Sequence, residues 1–482
     1  MISRIVIVGA SLAGLRAAET LRAEGFRGQV TVVGDEPYLP YDRPPLSKAV
    51  MAGRFPASHT FLPRRFTLGE GDVDWRLGVA ATGLDMGKKE VQLADGQTIP
   101  FDRLLIATGT RARPWHNPDE AKLDGVMTLR GRDDAEKLCA RLAAKPKRVL
   151  IIGSGFNGSE LASICRERGL PVTVVERGPS PLAGALGGVI GARAAELQRA
   201  YGVDLRTHVS VANLEGDAQG RFRCAWLTDG SRIDADVVIV ALGAIRNTEW
   251  LRDSGLAAGE LGVACDAGCR VVSESLLVTD DVFVAGDVAR FPHPIYRHQF
   301  LALEHWGNAV EQAWVAAHNM ICEPSQRRPH LPIPAFWSNQ FGVNIKSVGV
   351  PSAGEELVIT QGSLREGRFV AVYGTDGRVM AAVSFNQGRW LESYERLIAQ
   401  AAAFPPIADV ANRPEPNEPV PAGFPGPKTV ALQATAILTG YDATDRRVEW
   451  IPKRRPAPEA AAPRPQPEGV HHAGYVHSQA NL

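Results

Sequence analysis

Three kinds of residue in this sequence have types and spacings that could do chemistry: glycines in strand-to-helix turns, acids that follow them, and cations in stiff loops. The first turn is Gly9-Ala10-Ser11-Leu12-Ala13-Gly14. Ahead of a helix, such a turn points backbone N–H groups and the positive end of the helix dipole at a pyrophosphate. Asp35 and Glu36 follow, Glu36 twenty-two residues past Gly14, where a carboxylate can accept hydrogen bonds from a ribose. Ser11 stands where a middle glycine is usual, and its Cβ crowds the closest approach to phosphate. Two glycines of three are a weak signal alone.

The device then recurs. Gly153-Ser154-Gly155-Phe156-Asn157-Gly158 carries all three glycines, 144 residues after the first copy, and Glu176 follows eighteen residues past Gly158. Two copies, each followed by an acid, are a far stronger signal of two dinucleotide sites than one. Other candidates sit at strand ends. Ala107-Thr108-Gly109 and Gly243 end two apolar runs, and Gly286-Asp287 ends a third. An acid there lies at the ligand edge of a parallel sheet, although Asp287 could also simply cap. Arg43 and Lys48 lie in the proline-rich stretch Pro37–Lys48, which cannot be helix interior and either forms a stiff surface loop or holds these cations against an anionic or polar group.

The elements that must position these residues are legible as buried parallel strands. Ile5–Val8, Val30–Val33, Leu104–Ile106, Val149–Ile152, Val172–Val175, Val237–Val240 and Val282–Val284 are apolar runs rich in β-branched residues. A helix is expected from Leu303 through Ala317. From about residue 331 the texture changes to alternating strands with an Asp376-Gly377 hairpin turn, then an amphipathic helix from Trp390 to Ala401, giving a small α+β domain. The fold class is therefore α/β, with two Rossmann-like dinucleotide-binding domains and a small α+β C-terminal domain. Domain bounds of 1–115 with 246–328, 116–245, and 329–403 are expected. Residues 404–482 hold 14 of the 34 prolines, so this tail is expected to be extended or disordered in part, with a short hairpin possible over Thr429–Leu432 and Ala436–Thr439.

Composition narrows the function classes. The chain has 482 residues, 45% hydrophobic and 22% charged, with 53 basic against 53 acidic residues. Zero formal charge offers no field for nucleic acid or a membrane surface. No 18-residue apolar run and no signal peptide are visible, and six scattered cysteines have no metal-site spacing, so a cytoplasmic protein with reduced thiols and no metal is expected.

Taken together, the two glycine signatures, Arg43-Pro44-Pro45-Leu46-Ser47-Lys48, Ala107-Thr108-Gly109, Thr279-x7-Asp287 and His305-Trp306-x-Asn308-Ala309 resemble the FAD-dependent ferredoxin reductases of the putidaredoxin reductase and biphenyl-dioxygenase type. The resemblance covers roughly residues 3–403. Phe336-Trp337-Ser338-Asn339-Gln340 is similar to the start of that family's C-terminal reductase domain, where an Asp is more usual than Asn339. The resemblance implies FAD on the first signature (Gly9, Ser11, Leu12, Ala13, Gly14), with Asp35 and Glu36 at the adenosine ribose and Arg43 nearby. It implies that Lys48 pairs with Glu160 beside the flavin and that Asp287 binds the ribityl chain. Ala107, Thr108, Gly109, Arg130, Gly243, Gly286, Glu304 and His305 complete the implied cofactor set. The helix at Glu304–Trp306 would aim its N-terminus at the flavin, and Trp306 would lie beside it, or else simply pack.

The second signature (Gly153, Gly155, Phe156, Asn157, Gly158) would hold NADH, because Glu176 favours a bare 2′-hydroxyl over the 2′-phosphate of NADPH. Arg177 blurs this choice, since an inward arginine could accept that phosphate. Asn157 and Ser159 replace an apolar pair and are expected between Gly155 and the nicotinamide. The Pro37–Lys48 loop lacks the cysteine pair of the disulfide reductases of this fold, so electrons would leave the flavin directly. The implied catalytic set is Lys48, Glu160 and Trp306. The implied partner is an acidic iron–sulfur ferredoxin serving a cytochrome P450 or Rieske oxygenase, docking on Arg290, Arg297, Arg327 and Arg328, with His298 and Lys346 nearby, and the protein would be a monomer or weak dimer. Other acceptors (rubredoxin, monodehydroascorbate or O2) or a non-catalytic NADH-responsive sensor are the alternatives.

Overall fold

Ile5, Val6, Ile7 and Val8 lie at the centre of a six-stranded sheet with both faces covered, which is why the run needs no polar alternation. The computed structural model describes residues 2–66, 68–69, 71–406, 418–425, 434–439 and 447–452. Its first two units run β1 (Arg4–Val8), α1 (Leu12–Ala23), β2 (Gln29–Gly34), β3 (Asp74–Leu77), β4 (Arg103–Ile106), β5 (Val126–Met127), α2 (Arg132–Ala143), β6 (Val149–Ile152), α3 (Phe156–Glu167), β7 (Val172–Glu176), α4 (Ala183–Ala200), β8 (Asp204–Thr207), β9 (Val237–Val240), β10 (Arg270–Val272), β11 (Val278–Val284) and α5 (Trp306–Ile321).

The first sheet has strand order β10-β11-β4-β1-β2-β3 and the second β8-β7-β6-β9-β5. Because β11 returns to pair with β4, the first unit is built from two stretches of chain with the second unit inserted between them. The chain leaves through Thr110–Ala112 and comes back through Ala244–Arg246, and these two connections pair antiparallel, side by side. Alanines let the covering helices sit close. Ala17 and Ala18 of α1, and Ala313, Ala316 and Ala317 of α5, are all buried against Ile5, Ile7, Leu105 and Phe283.

The C-terminal unit is an antiparallel sheet of β12 (Ala335–Gln340), β13 (Val343–Gly349), β14 (Glu356–Ser363), β15 (Arg368–Thr375) and β16 (Arg378–Phe385), followed by α6 (Leu391–Ala399). A short strand, β17 (Val420–Pro421), pairs onto β14, and the order is β12-β13-β16-β15-β14-β17. Alternation divides the sheet into two faces. Val370, Val372 and Ala382 pack on Tyr394 and Ile398 of α6, while Phe369, Ala371, Tyr373 and Phe385 pack on Leu186, Ile190 and Ala194 of α4. Asp376 and Gly377 form the β15–β16 turn, with φ of 50° and 69°.

Several expectations need correction. The helix expected to open at Leu303 begins at Trp306, with His305 at its N-cap. In the tail, Ala434–Thr439 pairs with Arg447–Pro452; the expected partner Thr429–Leu432 lies outside the described residues, as do most of residues 404–482. Part of the tail is docked rather than loose: Ala422 is fully buried, and Gly188 N–H of α4 donates to the Gly423 carbonyl at 2.8 Å. Antiparallel meanders over Ala81–Pro100 and Val211–Asp234 are additions to the two parallel sheets. Among the described residues no helix is long and apolar enough to cross a membrane, and no His/Cys/Asp/Glu cluster could hold a metal.

Candidate functional site

The two glycine turns are built alike. Gly9 has φ of 127°, and a Cβ there would lie 2.0 Å from the Ala107 carbonyl oxygen; a Cβ at Gly14 would lie 1.9 Å from the Gly9 oxygen. In the second copy a Cβ at Gly153 (φ 97°) would meet the Ala241 oxygen at 2.5 Å, and one at Gly158 the Gly153 oxygen at 2.1 Å. Only glycine lets strand, turn and helix close this tightly. The middle position differs. A Cβ on Gly155 would have nothing within 4 Å, and at Ser11 the hydroxyl accepts from Arg43 Nε at 3.4 Å. Both middle positions lie at the carboxyl ends of the strands, Gly155 exposed and Ser11 half-buried, beside the crevice that open α/β sheets offer to ligands and where the first-turn amides of α1 and α3 emerge.

The two acids are held differently. Glu36 accepts from the Tyr41 phenol at 2.5 Å and from the Arg43 guanidinium. Arg43 in turn donates to the Tyr41 oxygen at 3.0 Å and to the Arg130 carbonyl at 3.2 Å. Burial pushes the Tyr41 phenol well above its ordinary value, so it stays a donor. Asp35 is exposed beside them. Glu176 is held from its own turn: Ser154 N–H and Oγ donate to Oε2 at 2.9 and 2.7 Å, and Gly178 N–H donates to Oε1 at 2.7 Å. Arg177 is exposed.

Between the two units lies an ion pair. The prolines at Pro44 and Pro45 force a short 3-10 turn that delivers Ser47 and Lys48 to the second unit. Lys48 Nζ donates to Glu160 Oε2 at 2.7 Å, with Glu160 side chain 4% exposed and Lys48 26%. Ser47 Oγ donates to the same oxygen at 2.7 Å, and Ser338 Oγ of β12 donates to Oε1 at 2.6 Å. Loop, second unit and C-terminal domain therefore meet on one carboxylate.

Around the same seam, Arg130 donates to Asp287 Oδ2 at 2.6 Å and to the Thr110 carbonyl at 3.1 Å. Arg246 pairs with Glu304 at 3.3 Å. Burial, with help from the Asp287 charge, pushes the Glu304 carboxyl up, and burial pulls the His305 imidazole down. Trp306, at the first turn of α5, donates its indole N–H to Asp42 Oδ1 at 2.9 Å; burial raises the Asp42 carboxyl in spite of that bond. The Phe336 ring lies 4.8 Å from Phe156 and 5.3 Å from His305.

Some residues sit elsewhere than the sequence suggested. Ser159 falls on the packed face of α3, fully buried, where its hydroxyl donates to the Ser154 carbonyl at 3.1 Å and accepts from Gln198 at 3.0 Å. Asn157 is exposed. Arg290 and Arg327 do not form a surface patch. The Arg290 guanidinium lies partly buried over the Phe300 ring, and Arg327 donates to Asp280 at 2.8 Å in a network with Arg270. Arg297 is exposed but paired with Asp376, and Arg328 is exposed. Conversely, Tyr41, Asp42, Ser47, Ser154 and Ser338 enter the site without having been singled out. For Ser154 there is a signal, a hydroxyl inside the glycine signature; Asp42, Ser47 and Ser338 act through contacts distant in sequence.

Three buried polar atoms in the seam, Thr110 Oγ1, Arg246 Nε and His305 Nδ1, have no partner among the described residues. Buried polar groups are normally satisfied. Orphaned atoms, open middle positions and flanking Arg43 and Arg130 fit an anionic dinucleotide lying in the crevice.

Comparison with known proteins places the chain among reductases of this fold. The sequence profile described as pyridine nucleotide-disulphide oxidoreductase matches residues 3–313, and the reductase C-terminal profile matches residues 335–415. The chain is 33% identical over 414 residues to the ferredoxin reductase component of chlorobenzene dioxygenase from Cupriavidus sp. (strain PS12), covering 86% of this chain and 97% of that relative. It is 35% identical over 401 residues to the ferredoxin–NAD(+) reductase component of the biphenyl dioxygenase system of Paraburkholderia xenovorans (strain LB400), covering 83% and 93%. Among solved structures, the covalent putidaredoxin reductase–putidaredoxin complex superposes with a TM-score of 0.76 at 30% identity, covering 83% of this chain and 93% of that one.

Proposed function

The chain belongs to the pyridine nucleotide-disulphide oxidoreductase family, and we propose that it is an FAD-dependent reductase that takes hydride from NADH and delivers electrons singly to an iron–sulfur ferredoxin. The observation that carries this reading is the Lys48–Glu160 pair, which joins the proline loop of the first unit to α3 of the second, in a loop without cysteine. With no thiol relay in that loop, a bound flavin has to hand its electrons straight to a partner.

FAD, when bound, supplies the chemistry that accepts a hydride and releases electrons one at a time. The chain's own residues hold and shape the site. Gly9, Gly14 and the first turn of α1 would hold the pyrophosphate, with Arg43 beside Ser11 neutralising its charge and Glu36 reaching the ribose. Asp287, released from Arg130, would accept from the ribityl hydroxyls. Lys48 is fixed by Glu160 as a positive donor at the inner end of the crevice. The α5 N-terminus adds its partial positive charge, and the Trp306–Asp42 bond fixes the indole as a wall. For NADH the second turn repeats the pyrophosphate cradle, and Phe156 against Phe336 closes the crevice with apolar rings.

The docking face follows from charge. No acid occurs between Asp42 and Glu70, while Arg54, Arg64 and Arg65 are exposed there together with Phe55, Phe61 and Phe66. Arg65 lies over the Trp314 ring of α5, 4.3 Å away. A basic, aromatic surface on the loop that carries Lys48 suits an acidic ferredoxin better than the patch around Arg297 and Arg328, where one arginine already has its acid.

Stopped-flow mixing with NADH and then NADPH, followed by ferredoxin, tests the reading. Rapid flavin bleaching by NADH and fast turnover with a ferredoxin are expected; bleaching without turnover on any ferredoxin would overturn the acceptor assignment. Charge reversal of Arg54 and Arg64 should raise the ferredoxin KM by about five-fold or more, as for exposed charges that steer encounter, with ferricyanide reduction kept. The same reversal at Arg297 and Arg328 should change it less.

A further inference from the structure

We propose that Ser154 is a positioning residue for nicotinamide choice: it locks Glu176 so that the carboxylate accepts a ribose 2′-hydroxyl and repels a 2′-phosphate. The inference rests on the proposed NADH site and deepens it.

Ser154 is fully buried and donates twice, through N–H and Oγ, to the same carboxylate oxygen. Gly178 N–H holds the other oxygen, so the carboxylate is tied at both ends and cannot rotate without losing three charge-assisted hydrogen bonds. Oε2 is occupied by two donors; Oε1, with one, keeps room to accept from one more. A 2′-hydroxyl can be that donor. A 2′-phosphate brings no proton at neutral pH and places like charge against an acid unable to turn away. Ser154 is itself anchored. Its carbonyl accepts from Leu182 N–H and from Ser159 Oγ, both at 3.1 Å, and Ser159 accepts from the fully buried Gln198 at 3.0 Å. This buried polar chain also explains why Ser159 departs from the apolar residue usual at its position. Without the Ser154 hydroxyl, Glu176 keeps only backbone donors, and the exposed Arg177 could take over a phosphate.

The test is the ratio of kcat/KM for NADH to that for NADPH in flavin-loaded Ser154→Ala and Ser154→Gly, read with ferricyanide so that no ferredoxin is needed. The ratio should fall about ten-fold, the equivalent of one hydrogen bond to a charged group, with the NADH KM rising and the NADPH KM falling. Calorimetric titration of the same proteins with NAD(+) and NADP(+) should show the Kd ratio moving the same way without turnover. In a Glu176→Gln background the Ser154 change should leave the ratio where the Glu176→Gln substitution alone put it. The proposal is overturned if the ratio is unchanged, if both nucleotides lose equally, or if the effect is the same with and without Glu176. If the unaltered protein does not oxidise NADH at all, the proposed function itself fails, and that result is visible before any variant is made.

Discussion

The two nucleotide units share one turn yet hold their acids in opposite ways. Register makes the difference explicit. Val8 pairs with Val33 and Ile152 with Val175, so Gly34 of the first unit occupies the position of Glu176 in the second. A side chain at position 34 would crowd the first turn as it stands, its Cβ 2.5 Å from the Ala10 Cβ; in the second unit Ser154 replaces Ala10 and bonds the acid that replaces Gly34. The first unit must therefore find its acid two residues further on, at Glu36, and that acid is gripped from outside by Tyr41 and Arg43 of the proline loop. A site gripped by a cation neutralises the charge of a resident ligand. A site whose acid is held by a hydroxyl and backbone amides suits a ligand that comes and goes and must be told from its phosphorylated twin.

If the units are this separable, a clash in each should have a different readout. Gly14→Ala and Gly158→Ala both drive a Cβ onto a backbone oxygen, at 1.9 and 2.1 Å. Overpacking of this kind costs up to about 3 kcal/mol, roughly a hundred-fold. Gly14→Ala should be purified without the flavin absorption band, while Gly158→Ala should keep the band and lose NADH-driven bleaching. Flavin loss in both would show that the units do not bind independently. Next in size, Arg43→Ala should weaken FAD retention by about 2 kcal/mol, the value of a charge-assisted contact, with the NADH KM unmoved. Equal changes in both would mean that Arg43 acts on the whole fold.

A gentler way to separate the units is acid. The first unit and its link to β12 bury His293 and His330 and half-bury His305, whose imidazoles burial pulls down, His330 to about 3. The second unit has His116 and His208, both exposed. A histidine held neutral when folded but free to protonate when unfolded makes the unfolded state bind more protons below about pH 6.5. Stability then falls as pH drops, by about 1.4 kcal/mol per unit for each such group. Flavin release, followed by fluorescence, should thus begin between about pH 6 and 5, just below the ordinary histidine value, and His330→Gln should flatten its slope. A pH-independent release over that range would sink the idea.

What the sequence disclosed follows the same division between local and distant. Both turns were readable because strand, glycine and helix are neighbours in the chain, and the C-terminal strands because alternation is local. The Lys48–Glu160 contact spans 112 residues, and only resemblance suggested it. Tyr41 and Ser338 carry no local mark, since one is a tyrosine in a loop and the other a serine in a strand. Charge counting does not reveal that Arg327 and Arg297 are paired, because their acids, Asp280 and Asp376, lie 47 and 79 residues away in sequence. Ser159 turns into the packed face of α3 because helical phase, not proximity to the glycines, decides which way a side chain faces.

The smallest expected effect bears on the residue where the two turns differ outright. Ser11 and Gly155 are equivalent positions at the carboxyl ends of the strands, and a Cβ at Gly155 would have nothing within 4 Å. If pyrophosphate is held by the turn and helix start, Ser11→Gly should alter FAD retention by no more than about 0.5 kcal/mol, the usual size for a change that makes no protein contact. The Ser11 hydroxyl has only the long 3.4 Å bond from Arg43 among the described residues, and Arg43 already has Glu36. Gly155→Ser should likewise leave the fold intact, so any rise in the NADH KM would measure how closely the second pyrophosphate approaches. A large change in flavin retention on Ser11→Gly, in either direction, would mean that the hydroxyl itself contacts the ligand, and the two units would then differ at the phosphate as well as at the ribose.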